Sequence, residues 1–278
     1  MTDDGAFRMM VVRSTDTVRG AIAAQEARGD AARILGDMVT GAILYRETMA
    51  PSLRVQAVIK GANGSGQIIA DSYPEGRTRG LFQHKSAAPP FHLGRGSMLQ
   101  LMRSLPNGEL YQGVVELPPE GGVSEGLMSY MKSSEQIATV VRVATVMDGQ
   151  SGVRAAGGFL IQLLPEAPDR EGAIETMADR LEAEFDDITE RLVGTDASPD
   201  AFIAEAFEGM PHTMLDDSPV AFGCDCSKVR VLTSLSTLGV DDLEQLLADG
   251  EALDLGCDWC GKSYRVEVEE LKGLLTQS

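Results

Sequence analysis

The sequence predicts an α+β protein with an N-terminal core domain of mixed sheet and helix, an acidic helical linker and a small C-terminal zinc-binding domain. Three observations lead to this fold class. Apolar runs separated by glycine-rich turns alternate with helical patterns over residues 1–165, acidic residues dominate 166–217, and all four cysteines fall within 218–278. We therefore expect three parts with these boundaries.

The predicted core domain combines strand and helix patterns. Val55–Lys60 and Gln67–Ala70 flank a glycine-rich loop, which is typical of a β-hairpin. Ala31–Tyr45 carries apolar residues on one helix face, and Val123–Ser133 has the same spacing. Further strands are predicted at Tyr111–Leu117, Ile137–Met147 and Phe159–Leu164.

The predicted linker, residues 166–217, is strongly acidic. It holds sixteen Asp and Glu, three Arg and no Lys, a net charge of −13, whereas residues 1–165 sum to +1 and 218–278 to −6. Its first helix is expected to carry one apolar stripe. That stripe consists of Ile174, Met177, Leu181, Phe185, Ile188 and Leu192. Ser198-Pro199-Asp200 begins a second helix. The pattern fits either a metastable linker or an ordinary docked helical hairpin.

The composition argues against several classes of function. The chain has 278 residues, of which 43% are hydrophobic and 24% charged, with a formal net charge of −18. No apolar run approaches the ~18 residues that span a bilayer, and the negative charge would repel nucleic acid and anionic membranes. The N-terminus is acidic and lacks an apolar signal core. We expect a cytoplasmic protein that binds neither nucleic acid nor membrane.

No catalytic residues are predicted. The sequence contains no recognisable Ser/His/Asp set or nucleophile elbow. His84, His92 and His212 show no metal-ligand spacing with one another or with the cysteines. We therefore expect a protein that is not an enzyme.

The four cysteines form two close pairs. Cys224 and Cys226 are separated by one residue, Cys257 and Cys260 by two, and thirty residues lie between the pairs. In a cytosolic chain, two such pairs indicate a metal site rather than a disulfide scaffold. Zn²⁺ prefers four thiolates in a tetrahedron. The spacing therefore predicts one Zn²⁺ or similar metal ion per chain, bound by all four cysteines, with plain thiols as the alternative.

The segment between the cysteine pairs is expected to fold on the metal. Ser227 is a suitable N-cap for a helix that ends at Gly239. This helix is predicted to bury Val231, Leu232, Leu235 and Leu238. A second helix should turn Leu243, Leu246 and Leu247 inward, and Tyr264, Val266 and Val268 alternate as in a strand. A unit this small has little core, so metal removal should unfold most of it.

The cysteines alone leave the function open. A constitutive structural zinc module is one interpretation. A second is a thiol–disulfide oxidoreductase, because Cys257 and Cys260 have the spacing of thiol exchange enzymes. Cys224 and Cys226 could form a disulfide only with strain, and oxidation of either pair would remove two metal ligands. A zinc-dependent nucleic-acid module is the weakest alternative, because this part of the chain is itself acidic.

The motifs as a set resemble those of a known family. Phe222–Ser227, the thirty-residue gap to Cys257-Asp258-Trp259-Cys260 and the following Tyr264 resemble the bacterial 33-kDa heat-shock protein family, the redox-regulated holdase chaperones. Upstream segments carry the likeness over nearly the whole chain. They are Val18-Arg19-Gly20, Tyr111–Val115, Ser134-Glu135-Gln136 and Ala156–Pro165.

This resemblance implies a redox switch. The reduced, zinc-bound protein would be inactive. On oxidation Cys224 would pair with Cys226 and Cys257 with Cys260, zinc would leave, and the linker and C-terminal domain would unfold to bind unfolded client proteins under oxidative and heat stress. The family also implies a homodimer in the active state. An acidic linker with an apolar stripe is suited to such a role, since it is only marginally docked and stays in solution when exposed.

Overall fold

The structure, a computed structural model, describes residues 1–275 apart from 86, 106, 166, 168, 169, 185, 186, 195–197 and 249. It is a mixed α+β structure, as predicted, and it divides into two units, Met1–Phe222 and Gly223–Ser278. Within the described part of the chain, no helix has the length and apolar character needed to cross a membrane.

The first unit contains two sheets. In chain order its strands are β1 (Phe7–Arg13), β2 (Val55–Lys60), β3 (Gln67–Ser72), β4 (Arg77–Gln83), β5 (Met98–Ser104), β6 (Leu110–Glu116), β7 (Thr139–Asp148), β8 (Gly152–Leu163) and β9 (Ala221–Phe222). One sheet has the order β1-β8-β7 and is antiparallel. The other has the order β6-β5-β2-β3-β4-β9, and only β9 pairs in parallel.

In the described part of this unit, six α-helices accompany the strands. They are α1 (Thr15–Gln25), α2 (Gly29–Glu47), α3 (Val123–Tyr130), α4 (Arg170–Glu184), α5 (Ile188–Val193) and α6 (Pro199–Ala206). Helix α2 packs on β2, β3 and β4 of one sheet and on β1, β7 and β8 of the other. Every residue from Ile34 to Arg46 is buried, so α2 is buried all round and not on one face as the sequence pattern suggested.

Most predicted elements of the core are present, with shifted ends. The hairpin is confirmed, with Val55 opposite Ser72 and Lys60 opposite Gln67. The predicted helix from Val123 continues beyond α3 as a π-helical turn, Met131–Glu135. Strand β8 begins seven residues before the predicted Phe159, because a run rich in glycine and alanine lacks the large side chains that mark a strand.

The acidic helices cover the outer face of the three-stranded sheet. Helix α4 packs on β8, α5 on β7 and β8, and α6 on β1. Their buried side chains form a second core cluster with side chains of β1 and β8. The main contributors from the acidic helices are Met177, Leu181, Ile188, Leu192, Phe202 and Phe207. Gly157 of β8 leaves room for both of its neighbours, since a Cβ there would lie 2.6 Å from the Val12 carbonyl oxygen of β1 and 2.8 Å from a terminal methyl group of Leu192 on α5.

The prediction of one continuous apolar stripe is wrong in two respects. The stripe is divided between α4, which ends at Glu184, and α5, which begins at Ile188. Asp187 starts the new helix as its N-cap, because its side chain accepts a hydrogen bond from the Glu190 N–H. Ile174 is 48% exposed and does not join the core. Phe185 lies outside the described residues. The second helix is confirmed, with Ser198 as its N-cap and Pro199 as its first residue.

The second unit is built from α7 (Lys228–Leu235), α8 (Val240–Ala248), β10 (Leu253–Gly256), β11 (Ser263–Val266) and α9 (Val268–Leu275). Among its described residues only Leu243, Tyr264, Val266 and Leu271 are buried. This core is too small to stabilise an independent fold without a further cross-link.

The predictions for this unit need three corrections. Ser227 caps α7 as expected, but the helix ends at Leu235 because a turn precedes Gly239. Val231, Leu232 and Leu235 are only half-buried, and Leu238 is 39% exposed. Val268 begins α9 and so does not continue the strand. Leu243 is buried, while Leu246 and Leu247 are half-buried.

The packing of α4 predicts unequal effects of two substitutions. Leu181→Asp should lower the free energy of unfolding by about 2–5 kcal/mol, because Leu181 is only 8% exposed and a carboxylate would be buried there. Ile174→Asp in the same helix is the matched control and should change it by less than about 0.5 kcal/mol. Denaturant unfolding and hydrogen exchange measure both. Equal effects would contradict the docking of α4 on β8.

Candidate metal centre

The second cysteine pair lies at the end of a β-hairpin. Strands β10 and β11 pair from Leu253 opposite Val266 to Gly256 opposite Ser263. Beyond them the turn closes through the Cys257 N–H, which donates to the Lys262 carbonyl at 2.9 Å. The Cys257 carbonyl in turn accepts from the N–H groups of Cys260 and Gly261, and Gly261 has a φ of +69° that favours glycine. This tight turn holds both thiols on one side of the hairpin end.

The first pair lies between β9 and α7. Cys226 directly precedes Ser227, and Cys224 lies two residues before Cys226. The Ser227 hydroxyl caps α7 by accepting a hydrogen bond from the Arg230 N–H. Lys228 on α7 forms an ion pair with Glu270 on α9 at 2.7 Å. These contacts fix where the chain leaves the first cysteine pair.

All four predicted ligands come together. Their sulfur atoms lie within 4.8 Å of one another, with Cys224 Sγ 3.7 Å from Cys257 Sγ and Cys226 Sγ 3.3 Å from Cys260 Sγ. A tetrahedral zinc site with Zn–S bonds of about 2.3 Å has sulfur atoms ~3.8 Å apart. The four thiols therefore match the number, type and spacing of ligands that Zn²⁺ prefers.

Tyr264 is a functional residue that the sequence interpretation missed. Its hydroxyl donates a hydrogen bond to Cys226 Sγ at 3.1 Å. The alternation of β11 predicted an inward side chain at this position but not its partner, since Cys226 is 38 residues away in the chain. The signal that could have found it is the hydroxyl: a buried tyrosine needs a partner.

The thiols do not ionise equally. Burial opposes ionisation of Cys226, but hydrogen bonds from Tyr264 and the other thiols outweigh it and lower its pKa to about 7. Burial raises the pKa of Cys257, and burial together with the hydrogen bond to Cys226 raises that of Cys260 to about 12. Without a cation, therefore, the cluster retains protons at neutral pH, and a metal ion must displace them to bind four thiolates.

The histidines are not part of the site. The rings of His84, His92 and His212 each pair with a carbonyl oxygen two to five residues away in the chain. This agrees with the absence of ligand spacing in the sequence.

Fold and site together define a class of protein: a sheet-and-helix core followed by a small unit built around four clustered thiols. A family model described as Hsp33 protein matches residues 1–267. The chain belongs to the Hsp33 family, and this membership supports the function of a chaperone.

Individual relatives agree over almost the full length. The 33 kDa chaperonin of Syntrophotalea carbinolica is 30% identical, covering 99% of this chain and 96% of its own. That of Geobacter sulfurreducens is 29% identical, covering 99% and 92%. Among solved structures, the 33 kDa chaperonin (heat shock protein 33 homolog) of Thermotoga maritima has a TM-score of 0.84 at 25% identity, covering 99% of this chain and 95% of its own.

The cluster predicts a four-thiolate metal site. The reduced protein should bind one zinc per chain, and replacing any one cysteine by Ser should weaken binding because a ligand is lost. A Cys257→Ser/Cys260→Ser variant should retain no stoichiometric zinc, and its second unit should unfold. Metal analysis and circular dichroism test this. Full zinc occupancy in the double variant would contradict the assignment.

Metal affinity should depend on pH and on Tyr264. Affinity should fall as the pH is lowered, because protons compete for thiolates, starting with groups whose pKa lies highest. Tyr264→Phe removes a hydrogen bond that favours the Cys226 thiolate, so affinity should fall about tenfold or more at neutral pH. The control is Tyr111→Phe in the first unit. Chelator competition at several pH values measures both, and equal affinities for the two variants would argue against the role of Tyr264.

Proposed function

We propose that this protein is a redox-regulated holdase chaperone, which binds unfolding proteins and prevents their aggregation under oxidative and heat stress. The reduced, zinc-bound form is inactive, and disulfide formation, zinc release and unfolding of the C-terminal region activate it. The observation that carries the proposal is the four-sulfur cluster in a unit with so little core of its own. Membership of the Hsp33 family supports it.

In this proposal Cys224, Cys226, Cys257 and Cys260 bind one Zn²⁺, which offsets half of their negative charge and cross-links the second unit. Tyr264 supports the Cys226 thiolate. When two thiolates are oxidised to a disulfide, hydrogen peroxide accepts the two electrons and leaves as two hydroxide ions. The metal then loses two of its four ligands.

The disulfides proposed are Cys224–Cys226 and Cys257–Cys260. In the folded cluster all four sulfurs are neighbours, and the close contacts Cys224–Cys257 and Cys226–Cys260 each join one pair to the other. Proximity in the folded site therefore does not select the partners. Loop closure does so once the unit loosens, because a bridge between the pairs closes a loop of about thirty residues and costs ~2 kcal/mol more than a local one.

The acidic linker, residues 166–217, is proposed as the metastable element between a core of residues 1–165 and a switch domain of residues 218–278. Its helices are held on the three-stranded sheet by the apolar cluster, and Arg180 links α4 to the end of α6 by donating to the carbonyls of Ala206 and Glu208. Sixteen carboxylates on the same segment repel one another and oppose docking.

We place the chaperone in the cytoplasm, as a non-enzymatic protein that binds no nucleic acid or membrane and acts as a homodimer when oxidised. The net charge of −18 supports the exclusion of polyanionic partners. The dimer rests on the family resemblance.

A zinc-binding thiol–disulfide oxidoreductase is the second candidate. The observation that favours it is the half-buried Cys226, whose pKa of about 7 resembles that of an activated thiol. Such an enzyme would reduce insulin disulfides catalytically, whereas a holdase would not.

The decisive experiment compares zinc content and suppression of aggregation before and after peroxide at elevated temperature. We expect zinc release and a gain of holdase activity together. Leu181→Asp, which loosens the linker, should suppress aggregation without oxidant, whereas Ile174→Asp should behave as the parent. A reduced protein as active as the oxidised one, or zinc release without activity, would refute the switch.

Peptide mapping of the oxidised protein tests the disulfide assignment. The expected main products are the two local disulfides, formed independently of each other. A main product that joins Cys226 to Cys257 would refute the assignment while leaving the chaperone function in place.

A further inference from the structure

Strand β1 has a free edge. The Ser14 N–H donates to the Ala156 carbonyl of β8. Because hydrogen-bonded positions alternate along an antiparallel strand, the main-chain groups of residues 8, 10, 12 and 14 point toward β8. The main-chain N–H and C=O groups of Met9 and Val11 therefore point away from β8. Within the described residues, nothing hydrogen-bonds to them.

This edge lies in a cavity of about 480 Å³. Ile43 and Leu44 of α2 line it beside β1, and Ile203 of α6 and Phe207, the residue directly after α6, line it opposite. The volume is within the ~300–1,000 Å³ of ordinary binding pockets, which is enough for a short segment of extended chain. Unpaired main-chain groups flanked by apolar side chains are what a strand needs in order to add to a sheet.

The edge strand β6 of the six-stranded sheet lacks such surroundings. Val114 on this strand is 49% exposed and Leu110 is 73% exposed, in an alternation with half-buried residues. A strand added to β6 would bury little apolar surface. The edges of β1 and β6 therefore differ in the apolar contact they offer and not in main-chain geometry.

Charge does not select the occupant of the β1 cavity. Arg8 and Arg13 of β1 and Glu47 of α2 lie on one side, and Asp200, Asp216 and Asp217 on the other. Since both signs border the apolar lining, a polyanion or a strongly basic ligand gains little. An uncharged, extended polypeptide segment fits best.

One wall of the cavity is a strap, residues 213–220, with no helix or strand. Its first end is held by Met1, which exchanges main-chain hydrogen bonds with Thr213 at 2.9 and 3.0 Å. Beyond its second end, Phe222 packs so closely on Gly20 that a Cβ there would lie 2.6 Å away. Met214 and Leu215 between them are 51% and 61% exposed. The strap is anchored at its ends and exposed in its middle.

From these contacts we infer that the free edge of β1 is a docking site for an extended, uncharged apolar segment of an unfolded polypeptide, which adds to the sheet as a further strand through Met9 and Val11. Helix α6 and the strap form the movable wall, whereas β1 and α2 form the fixed one. The inference rests on the proposed function for its client.

The test uses the full chain after peroxide treatment and a fluorescent peptide of alternating valine and threonine. Two further peptides are N-methylated at one or the other alternate set of residues. An added strand hydrogen-bonds to β1 through the N–H groups of one alternate set of its residues, and N-methylation removes those N–H groups. At least one methylated peptide should therefore bind about tenfold more weakly. If both bind like the parent peptide, or the parent peptide does not bind, strand addition is refuted.

A pair of variants locates the edge. Val11→Pro removes an outward N–H from β1, and Val114→Pro does the same on β6, where even-numbered residues point away from β5. Only Val11→Pro should weaken peptide binding, by about tenfold. Circular dichroism checks folding, and the methylated peptides test the inference independently if Val11→Pro misfolds. Equal binding by two folded variants would overturn the location.

Peptide binding is measured without an aggregation assay, so the two proposals fail separately. Normal suppression of aggregation with peptide binding unaffected by methylation would refute the β1 site alone. Methylation-sensitive binding without suppression of aggregation would refute the holdase function alone.

Discussion

The second unit depends on bringing four sulfur atoms within 4.8 Å of one another. Its four buried side chains each contribute about 1.5–3 kcal/mol, whereas a structural zinc ion contributes ~10–16 kcal/mol to small domains of this kind. The cluster cannot hold four thiolates without a cation, as the raised pKa values of Cys257 and Cys260 indicate. In the proposed zinc-bound state, fold and metal would therefore be one equilibrium, and whatever removes thiolate ligands would also remove the fold.

Docking of the acidic segment depends on the balance between apolar burial and charge repulsion. Its helices bury apolar side chains on the three-stranded sheet, and its charge of −13 opposes this burial. Two of its arginines offset part of the charge locally: Arg191 pairs with Glu205, and Arg180 donates to carbonyls at the end of α6. Because Ile174 contributes nothing to the core, α4 is held by fewer apolar contacts than its sequence suggests. Such a segment can be docked in one state and remain in solution when released.

Sequence patterns predicted what depends on local spacing. The hairpin from Val55, the cap at Ser198 and the cysteine set are of this kind, since turn residues, caps and ligand spacing act over a few residues. What depends on the partner surface was not predictable. Burial of α2 on all sides requires a second sheet, the early start of β8 depends on neighbouring strands, and the bond from Tyr264 to Cys226 joins distant parts of the chain.

Strand β1 contributes to both core clusters of the first unit. One face of its sheet packs on α2 in the main core, and the other packs on the acidic helices in the second. Loss of the acidic helices would uncover that second face and leave the main core in place, because the two clusters share no residues. The sheet would then offer both apolar side chains and the unpaired main-chain groups of Met9 and Val11. A chaperone that must bind many sequences benefits from this combination, since main-chain pairing is independent of sequence and apolar contact is only weakly selective.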